Sequence, residues 1–130
     1  MKPPLLLCAL AALPLAACAA EERPADRPAV APAARVIGAA ETCIPLSGLR
    51  ETRIRDDWTI DFVGNGNRVW RNTLNARCPG LRANDGITYE TSLTQLCSTD
   101  IVYVLDRIGG TPRRGAACSI GQFVPVELQR

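Results

Sequence analysis

The sequence of 130 residues contains no histidine. This absence excludes Ser–His and Cys–His nucleophilic catalysis, imidazole metal ligands, and the side chain that most often serves as a general base near neutral pH. Carboxylates are the remaining candidates for acid–base chemistry. Asp56 and Asp57 are adjacent and would point to opposite sides of a strand, while Asp100 and Asp106 flank an apolar run. These positions favour turns at strand ends over a catalytic pair.

Metal-binding patterns are absent as well. No two of the six cysteines have the two to four intervening residues of a zinc knuckle. The stretch Gly64-Asn65-Gly66 lacks the remaining glycine and the strand–helix setting of a dinucleotide-binding loop, so it predicts a turn. We therefore expect no metal centre and no cofactor.

The apolar run from Leu5 to Ala17 is about 13 residues long, too short for a bilayer span, which needs about 20. It follows the positive start Met1-Lys2 and fits the central region of a secretory signal. The run ends in Leu15-Ala16-Ala17-Cys18, which resembles the bacterial lipobox at all four positions. The resemblance implies that a signal peptide, 1–17, is removed and that Cys18, acylated with palmitate, becomes the new N-terminus. The alternative is an ordinary cleaved signal that leaves Cys18 unmodified.

The residue after Cys18 bears on the destination of the protein. Lipoproteins retained at the inner membrane often carry an acidic residue there, whereas this chain carries Ala19. We expect an outer-membrane lipoprotein of the bacterial cell envelope that faces the periplasm, with the membrane as a partner through the lipid anchor. Acyl chains contribute about 0.8 kcal/mol of membrane affinity for each buried CH₂ group.

Residues 18–40 are rich in alanine, proline, glutamate and arginine and contain no aromatic residue. Such a stretch cannot bury enough apolar surface to offset its chain entropy. We expect a disordered tether with a reach of about 25 Å by random-coil scaling. The alternative is an arm packed on the domain, in which Arg35-Val36-Ile37 begins a strand.

The remaining part, residues 41–130, is organised around a predicted β-hairpin at residues 56–74. Glycine and asparagine at its centre permit a tight reversal. If the loop is Asn65-Gly66-Asn67, one side of the hairpin is apolar and pairs Phe62 with Trp70, Ile60 with Asn72 and Trp58 with Leu74. The other side faces solvent and pairs Val63 with Val69, Asp61 with Arg71 and Thr59 with Thr73. The loop Gly64-Asn65-Gly66 stays open as an alternative and would set Trp70 opposite Ile60.

Further short runs of β-forming residues follow at intervals of about ten residues. Ile101 to Leu105 is nearly all apolar and is the best candidate for a central strand. Ser92-Leu93-Thr94-Gln95 matches a capping box and predicts one helical turn over Leu93 to Cys97. About six short strands of this kind predict an all-β fold, a small antiparallel barrel or sandwich.

Four cysteines remain once Cys8 leaves with the signal and Cys18 carries lipid: Cys43, Cys78, Cys97 and Cys118. An even number in an exported chain predicts two disulfides, which a small domain needs because its core is limited. Three connectivities are possible. We favour Cys43–Cys118, which joins the ends of the domain, with Cys78–Cys97, which closes a short loop.

Several segments together resemble a family of small, uncharacterised proteobacterial lipoproteins. The resemblance spans nearly all of the globular part, implies a lipoprotein with a four-cysteine framework, and supplies no activity or catalytic residue. The segments that carry it are Cys43-Ile44, Asp56-Asp57, Thr59-Ile60-Asp61-Phe62, Arg71-Asn72-Thr73-Leu74, Cys78-Pro79-Gly80-Leu81, Leu96-Cys97 with Asp100, and Cys118-Ser119-Ile120-Gly121-Gln122-Phe123 with Pro125.

The cations of the domain are arginines, interleaved with acidic residues, which argues against a nucleic-acid partner. The planar guanidinium group of arginine can donate two parallel hydrogen bonds to a carboxylate or a phosphate group. Arg53 and Arg55 on a predicted strand, with Arg71 on the hairpin, are therefore candidate binding residues. Asn72 is a fourth candidate because the hairpin register points this polar side chain inward, either to satisfy a buried backbone group or to line a small pocket.

These observations predict a non-enzymatic, lipid-anchored module that binds an envelope protein, peptidoglycan or an anionic glycolipid. Two alternatives remain. One is a periplasmic hydrolase that uses carboxylates such as Asp57 and Asp61, and the other is an inhibitor of an envelope enzyme. Converging carboxylates in a concave site would favour the hydrolase.

Overall fold

The computed structural model describes residues 31–91 and 93–129 of the chain. Within these residues the chain forms ten strands, one short helix and one 3-10 turn. Their bounds are β1 (Ala34–Val36), β2 (Cys43–Pro45), β3 (Leu49–Ile54), β4 (Thr59–Gly64), the 3-10 turn (Asn65–Asn67), β5 (Val69–Thr73), α1 (Leu81–Asn84), β6 (Ile87–Tyr89), β7 (Gln95–Cys97), β8 (Ile101–Asp106), β9 (Arg113–Ser119) and β10 (Phe123–Leu128).

The strands form three antiparallel sheets. A five-stranded sheet has the order β1-β10-β5-β4-β3, a three-stranded sheet has the order β6-β8-β9, and β2 pairs with β7. The sheets do not close into a barrel, so the arrangement is sandwich-like. The predicted all-β class is confirmed, and β8 is central in its sheet, although the strands outnumber the predicted six.

The predicted hairpin is β4 and β5, and its register is confirmed. Phe62 pairs with Trp70, and the backbone N–H of Gly64 donates to the carbonyl oxygen of Arg68 at 2.8 Å, which closes the loop. The loop residues Asn65–Asn67 form the 3-10 turn, in which Gly66 has φ 68°. Glycine adopts this left-handed conformation without the clash that a Cβ atom would cause. The alternative loop, which sets Trp70 opposite Ile60, is wrong.

The core lies between the five-stranded sheet and the two smaller sheets. Each sheet contributes side chains that are almost fully buried, and the Phe62 and Phe123 rings meet edge to face with centroids 5.4 Å apart. Since strand side chains alternate between faces, the residues between these core positions point to the other side of the sheet. The buried cluster includes Ile54, Ile60, Phe62, Trp70 and Phe123 from the large sheet, with Ile44, Leu96, Val102, Val104 and Cys118 from the others.

Two disulfides form, as predicted, but the favoured connectivity is wrong. Cys43 bonds to Cys97 and Cys78 bonds to Cys118. The pairing of β2 with β7 sets Cys43 directly opposite Cys97, with Cα atoms 4.0 Å apart. Long-range strand pairing therefore decides the connectivity, and proximity along the chain does not.

The helical turn predicted over Leu93 to Cys97 is also wrong. Gln95–Cys97 is strand β7, in which Leu96 is fully buried and pairs with Ile44. Burial of Leu96 in the core outweighs the weak local preference of a capping box. The helix instead forms at Leu81–Asn84, which packs against β8.

The boundary between tether and domain lies earlier than residue 41. Ala34–Val36, within the stretch assigned to the tether, is strand β1 and pairs with the last three residues of β10. Residues 18–30 of the predicted tether, the signal peptide and the lipidation site Cys18 lie outside the described residues. Within residues 31–91 and 93–129, no helix has the length and apolar character needed to cross a bilayer.

Candidate binding site

Three of the predicted binding residues lie on one surface. Strands β3, β4, β5 and β10 alternate between core residues and residues that point away from the core, and we name this second side the outer face. Arg53 pairs with Asp61 across β3 and β4, and Asp61 pairs with Arg71 across β4 and β5. Arg55 is two residues beyond Arg53 and lies on the same side. The structure therefore brings Arg53, Arg55 and Arg71 together.

Asp61 is the centre of this group, and its carboxylate is completely buried. Arg71 donates from Nε to Oδ1 at 2.8 Å and from Nη2 to Oδ2 at 2.9 Å, and Arg55 donates from Nε to Oδ2 at 2.7 Å. This side of the hairpin was predicted to be solvent-exposed, but the two guanidinium groups cover Asp61 and are themselves less than one-fifth exposed. Because two guanidiniums share one carboxylate, one positive charge remains.

Arg71 also connects the outer face to the N-terminal arm. Its Nη1 donates to the carbonyl oxygen of Pro32 at 2.7 Å, two residues before β1. This contact places Pro32 at the border of the outer face. The residues just before β1 are thus held by a side chain of the candidate site.

Arg53 is the exposed member of the group. It donates from Nε and Nη2 to the two carboxylate oxygens of Glu51 at 2.9 and 2.8 Å. The hydrogen bond from Arg53 lowers the pKa of Glu51, and Glu51 in turn raises the pKa of Arg53. An exposed pair of this kind contributes little to stability, so Arg53 can leave Glu51 for another anion at low cost.

Arg68 lies next to this surface, and the sequence analysis did not select it. Its guanidinium lies over the Trp70 ring, 5.5 Å from the ring centroid, and no ion pair of Arg68 occurs in the described part of the chain. The signal that could have found it is the hairpin register, which places Arg68 opposite Gly64 beside the loop. Because Trp70 is a core-side residue of β5, stacking on its ring holds the charge of Arg68 at the core-side edge of the sheet, next to the outer face and not on it.

The outer face contains a groove with a volume of about 680 Å³. Arginines line one part of it, and aliphatic side chains line the other. Ile37, which is 55% exposed, stands at the aliphatic end. The aliphatic residues are Ile37, Val63, Val69, Val126 and Leu128, and the arginines are Arg53, Arg55 and Arg68.

Asn72 lies on the opposite, core side and lines no part of this groove. It is fully buried, its Nδ2 donates to the carbonyl oxygen of Gly121 at 2.7 Å, and its Oδ1 accepts from the backbone N–H of Gly121 at 2.9 Å. A Cβ atom at Gly121 would stand 2.2 Å from the carbonyl oxygen of Thr73, so only glycine fits there. Asn72 therefore holds the chain that enters β10, and the pocket interpretation of Asn72 is wrong.

Replacing Asn72 by alanine is expected to lower the free energy of unfolding by about 2–4 kcal/mol, because two backbone groups of the partly buried Gly121 lose their partners and the fully buried amide leaves a space. Urea unfolding followed by tryptophan fluorescence measures this change. Asn75→Ala is the matched control: Asn75 is exposed and makes one bond, from Nδ2 to the carbonyl oxygen of Ile120 at 2.9 Å, so its loss costs about 1 kcal/mol or less. Equal effects for the two variants would contradict the role given to Asn72.

The carboxylates named for a hydrolase do not form an acid–base pair. Asp57 accepts from Nη2 of Arg77 at 2.7 Å and from the backbone N–H of Arg82 at 2.9 Å. Asp61 is enclosed by its two arginines. Both carboxylates are therefore engaged in structural ion pairs. Among the residues that the structure describes, no group of three or more His, Cys, Asp or Glu side chains is arranged to hold a metal ion.

Comparisons with known proteins add no family to this description. No protein-family model, no curated protein and no solved structure matches the chain.

Proposed function

We propose that this chain is a lipid-anchored protein of the bacterial outer membrane, related to small proteobacterial lipoproteins, and that its periplasmic β-domain is a non-enzymatic binding module. Its ligand is an anionic component of the cell envelope. The observation that supports this proposal is the groove of the outer face, where Arg53 of β3 and the following Arg55 adjoin an aliphatic floor.

The charges of the outer face support an anionic ligand. Arg53, Arg55 and Arg71 supply three positive charges, while Glu51 and Asp61 supply two negative ones. The other carboxylate along the groove, Glu127, is paired with Arg35. Guanidinium groups recognise carboxylates and phosphates through two parallel hydrogen bonds. The surplus of positive charge therefore favours an anionic partner.

The binding role is tested with full-length protein extracted from membranes in mild detergent. The anionic probes are phosphatidylglycerol and a peptidoglycan fragment with free peptide carboxylates, and native mass spectrometry counts the bound molecules. At least one probe is expected to bind. The variant Arg53→Gln is expected to weaken that binding about tenfold or more, because charge-assisted hydrogen bonds are lost.

Arg114→Gln is the matched control for this experiment. Arg114 is 43% exposed and pairs with one glutamate, Glu90, as Arg53 is 42% exposed and pairs with Glu51, but Arg114 lies on the three-stranded sheet. Binding should be unchanged in this variant. If neither probe binds, or if Arg114→Gln weakens binding as much as Arg53→Gln, the proposed binding role fails.

The anchor is tested by metabolic labelling of cells with radioactive palmitate. The protein should incorporate the label, and Cys18→Ala should abolish incorporation because the acceptor thiol is gone. Cys8→Ala is the control, since Cys8 lies in the signal peptide and should leave labelling intact. Labelling of the Cys18→Ala protein, or none in the original protein, would show that the anchor is wrongly assigned.

A further inference from the structure

We propose that the ligand of the outer face is a single anionic phospholipid of the anchoring membrane, with its phosphate at the arginines and part of one acyl chain along the aliphatic floor. This inference rests on the proposed function and names its ligand class. It follows from the order of the strands, the surplus of positive charge, the exposed aliphatic side chains and the position of the N-terminal arm.

The strand order separates the two kinds of side chain across the sheet. On the outer face, Val36 of β1 pairs with Val126 of β10, and Val126 pairs in turn with Val69 of β5. Two strands further on, β3 contributes Arg53, and Arg55 follows its last residue. The surface is thus apolar at the β1 side and cationic at the β3 side, and a ligand that matches it has an apolar part and an anionic part.

The cationic side has donors that a phosphate can use. Arg53 is held only by the exposed carboxylate of Glu51. Arg55 uses Nε for Asp61, and Arg71 is fully engaged with Asp61 and Pro32. Arg53, together with the terminal nitrogens of Arg55, would therefore bind the phosphate, and the Asp61 group is the rigid support beside them.

The aliphatic side is unusually exposed for a small domain. Val36 and Ile37 are 62% and 55% exposed, and they adjoin the valines of the groove. The groove volume lies within the range of about 300–1,000 Å³ that is typical of small-molecule sites. A peptidoglycan strand carries carboxylates but no hydrocarbon to cover these side chains, whereas a phospholipid carries both parts.

The N-terminal arm places this groove near the membrane. Pro32 lines the groove, and the predicted tether joins it to Cys18. Random-coil scaling over that length gives about 20 Å, so the anchored domain stays within reach of the lipid head groups. A lipid can therefore enter the groove from the same membrane that holds the acyl chains of Cys18.

The test compares phosphatidylglycerol with phosphatidylcholine of the same chain length, using the full-length protein in detergent and native mass spectrometry. One non-covalent phosphatidylglycerol is expected per protein, bound about tenfold or more tightly than phosphatidylcholine. Arg53→Gln alone should reduce that preference and Arg114→Gln should not. Equal binding of the two lipids would overturn the inference, because the head-group charge would then be irrelevant.

Two further variants separate the head group from the chain. Glu51→Gln removes the carboxylate that competes for Arg53, and it should tighten phosphatidylglycerol binding about twofold to fivefold. Ile37→Ser should weaken binding several-fold, whereas Ile108→Ser, at an exposed isoleucine outside the groove, should have no effect. An unchanged affinity in either Glu51→Gln or Ile37→Ser would contradict the placement of the lipid.

The outcomes also distinguish this inference from the proposed function. If the peptidoglycan fragment binds, loses binding in Arg53→Gln, and phosphatidylglycerol does not bind, the lipid assignment is overturned and the binding module stands. Binding of neither probe would remove both. A phosphatidylglycerol complex that depends on Arg53, Glu51 and Ile37 as described supports both.

Discussion

Replacing Asp61 by asparagine lowers the free energy of unfolding by about 3–5 kcal/mol, the expected effect of removing one partner from a buried ion pair. Asparagine has nearly the same shape as aspartate, so the packing is kept. The two guanidiniums of Arg55 and Arg71, both less than one-fifth exposed, lose their only shared negative charge. In addition, the new amide NH₂ faces an arginine N–H, so one hydrogen bond becomes a contact between two donors.

Urea unfolding followed by tryptophan fluorescence measures this change, because Trp58 and Trp70 are both buried. Glu127→Gln is the matched control: it also removes a carboxylate that pairs with arginine on the five-stranded sheet, but both partners are more than 60% exposed. We expect a change below about 1 kcal/mol there. A similarly small change for Asp61→Asn would show that water reaches the Asp61 group and that it does not support the outer face.

Replacing Cys78 and Cys118 together by alanine is expected to lower the free energy of unfolding by about 4 kcal/mol. The bridge closes a loop with a sequence separation of 40, and the loop-closure entropy released to the unfolded chain accounts for that amount. Cys78 is fully buried and Cys118 is 7% exposed, so lost packing adds to the effect. Urea unfolding without reductant is the measurement.

The double variant Cys43→Ala, Cys97→Ala is the comparison, since its loop has a separation of 54 and the entropy term is again about 4 kcal/mol. These two cysteines are partly exposed, so this variant should lose less stability than the first. The reverse order would contradict the burial of the Cys78–Cys118 bridge.

The connectivity itself can be read from a non-reduced tryptic digest. Cleavage after arginine leaves each cysteine of the domain on its own peptide, because an arginine lies between every two of them. The peptide with Cys43 should be joined to the peptide with Cys97, and the peptide with Cys78 to that with Cys118. A Cys43–Cys118 linkage would disprove the strand pairing of β2 with β7.

The hairpin could be predicted in detail because its information is local. The turn residues Asn65–Asn67 and the alternation of side chains around them leave one register that keeps Phe62 and Trp70 on the same face. The clustering of Arg53, Arg55 and Arg71 could be predicted in part, because the alternation of side chains within each strand already placed them on the side that faces away from the core. That β3 lies beside β4, which joins these arginines into one surface, required the sheet order.

Other features could not be predicted because they depend on contacts between distant segments. The inward position of Asn72 was predicted correctly, but its partner is Gly121, 49 residues away. Asp61 was expected at the surface because nothing local shows that Arg55 would fold over it. The strand at Gln95–Cys97 was predicted as a helical turn because the capping pattern says nothing about Ile44, which buries Leu96.

The sequence by itself determined the β class, the hairpin register and the need for two disulfides, because turn chemistry, side-chain alternation and the count of cysteines act over short stretches or on composition alone. Only the tertiary structure decided which cysteines pair, that residues 34–36 join the sheet, and that arginines and valines divide the outer face between them. These features arise where strands that are far apart in the chain come together. No single segment contains the core, and the free energy of burying that core selects the arrangement of the strands.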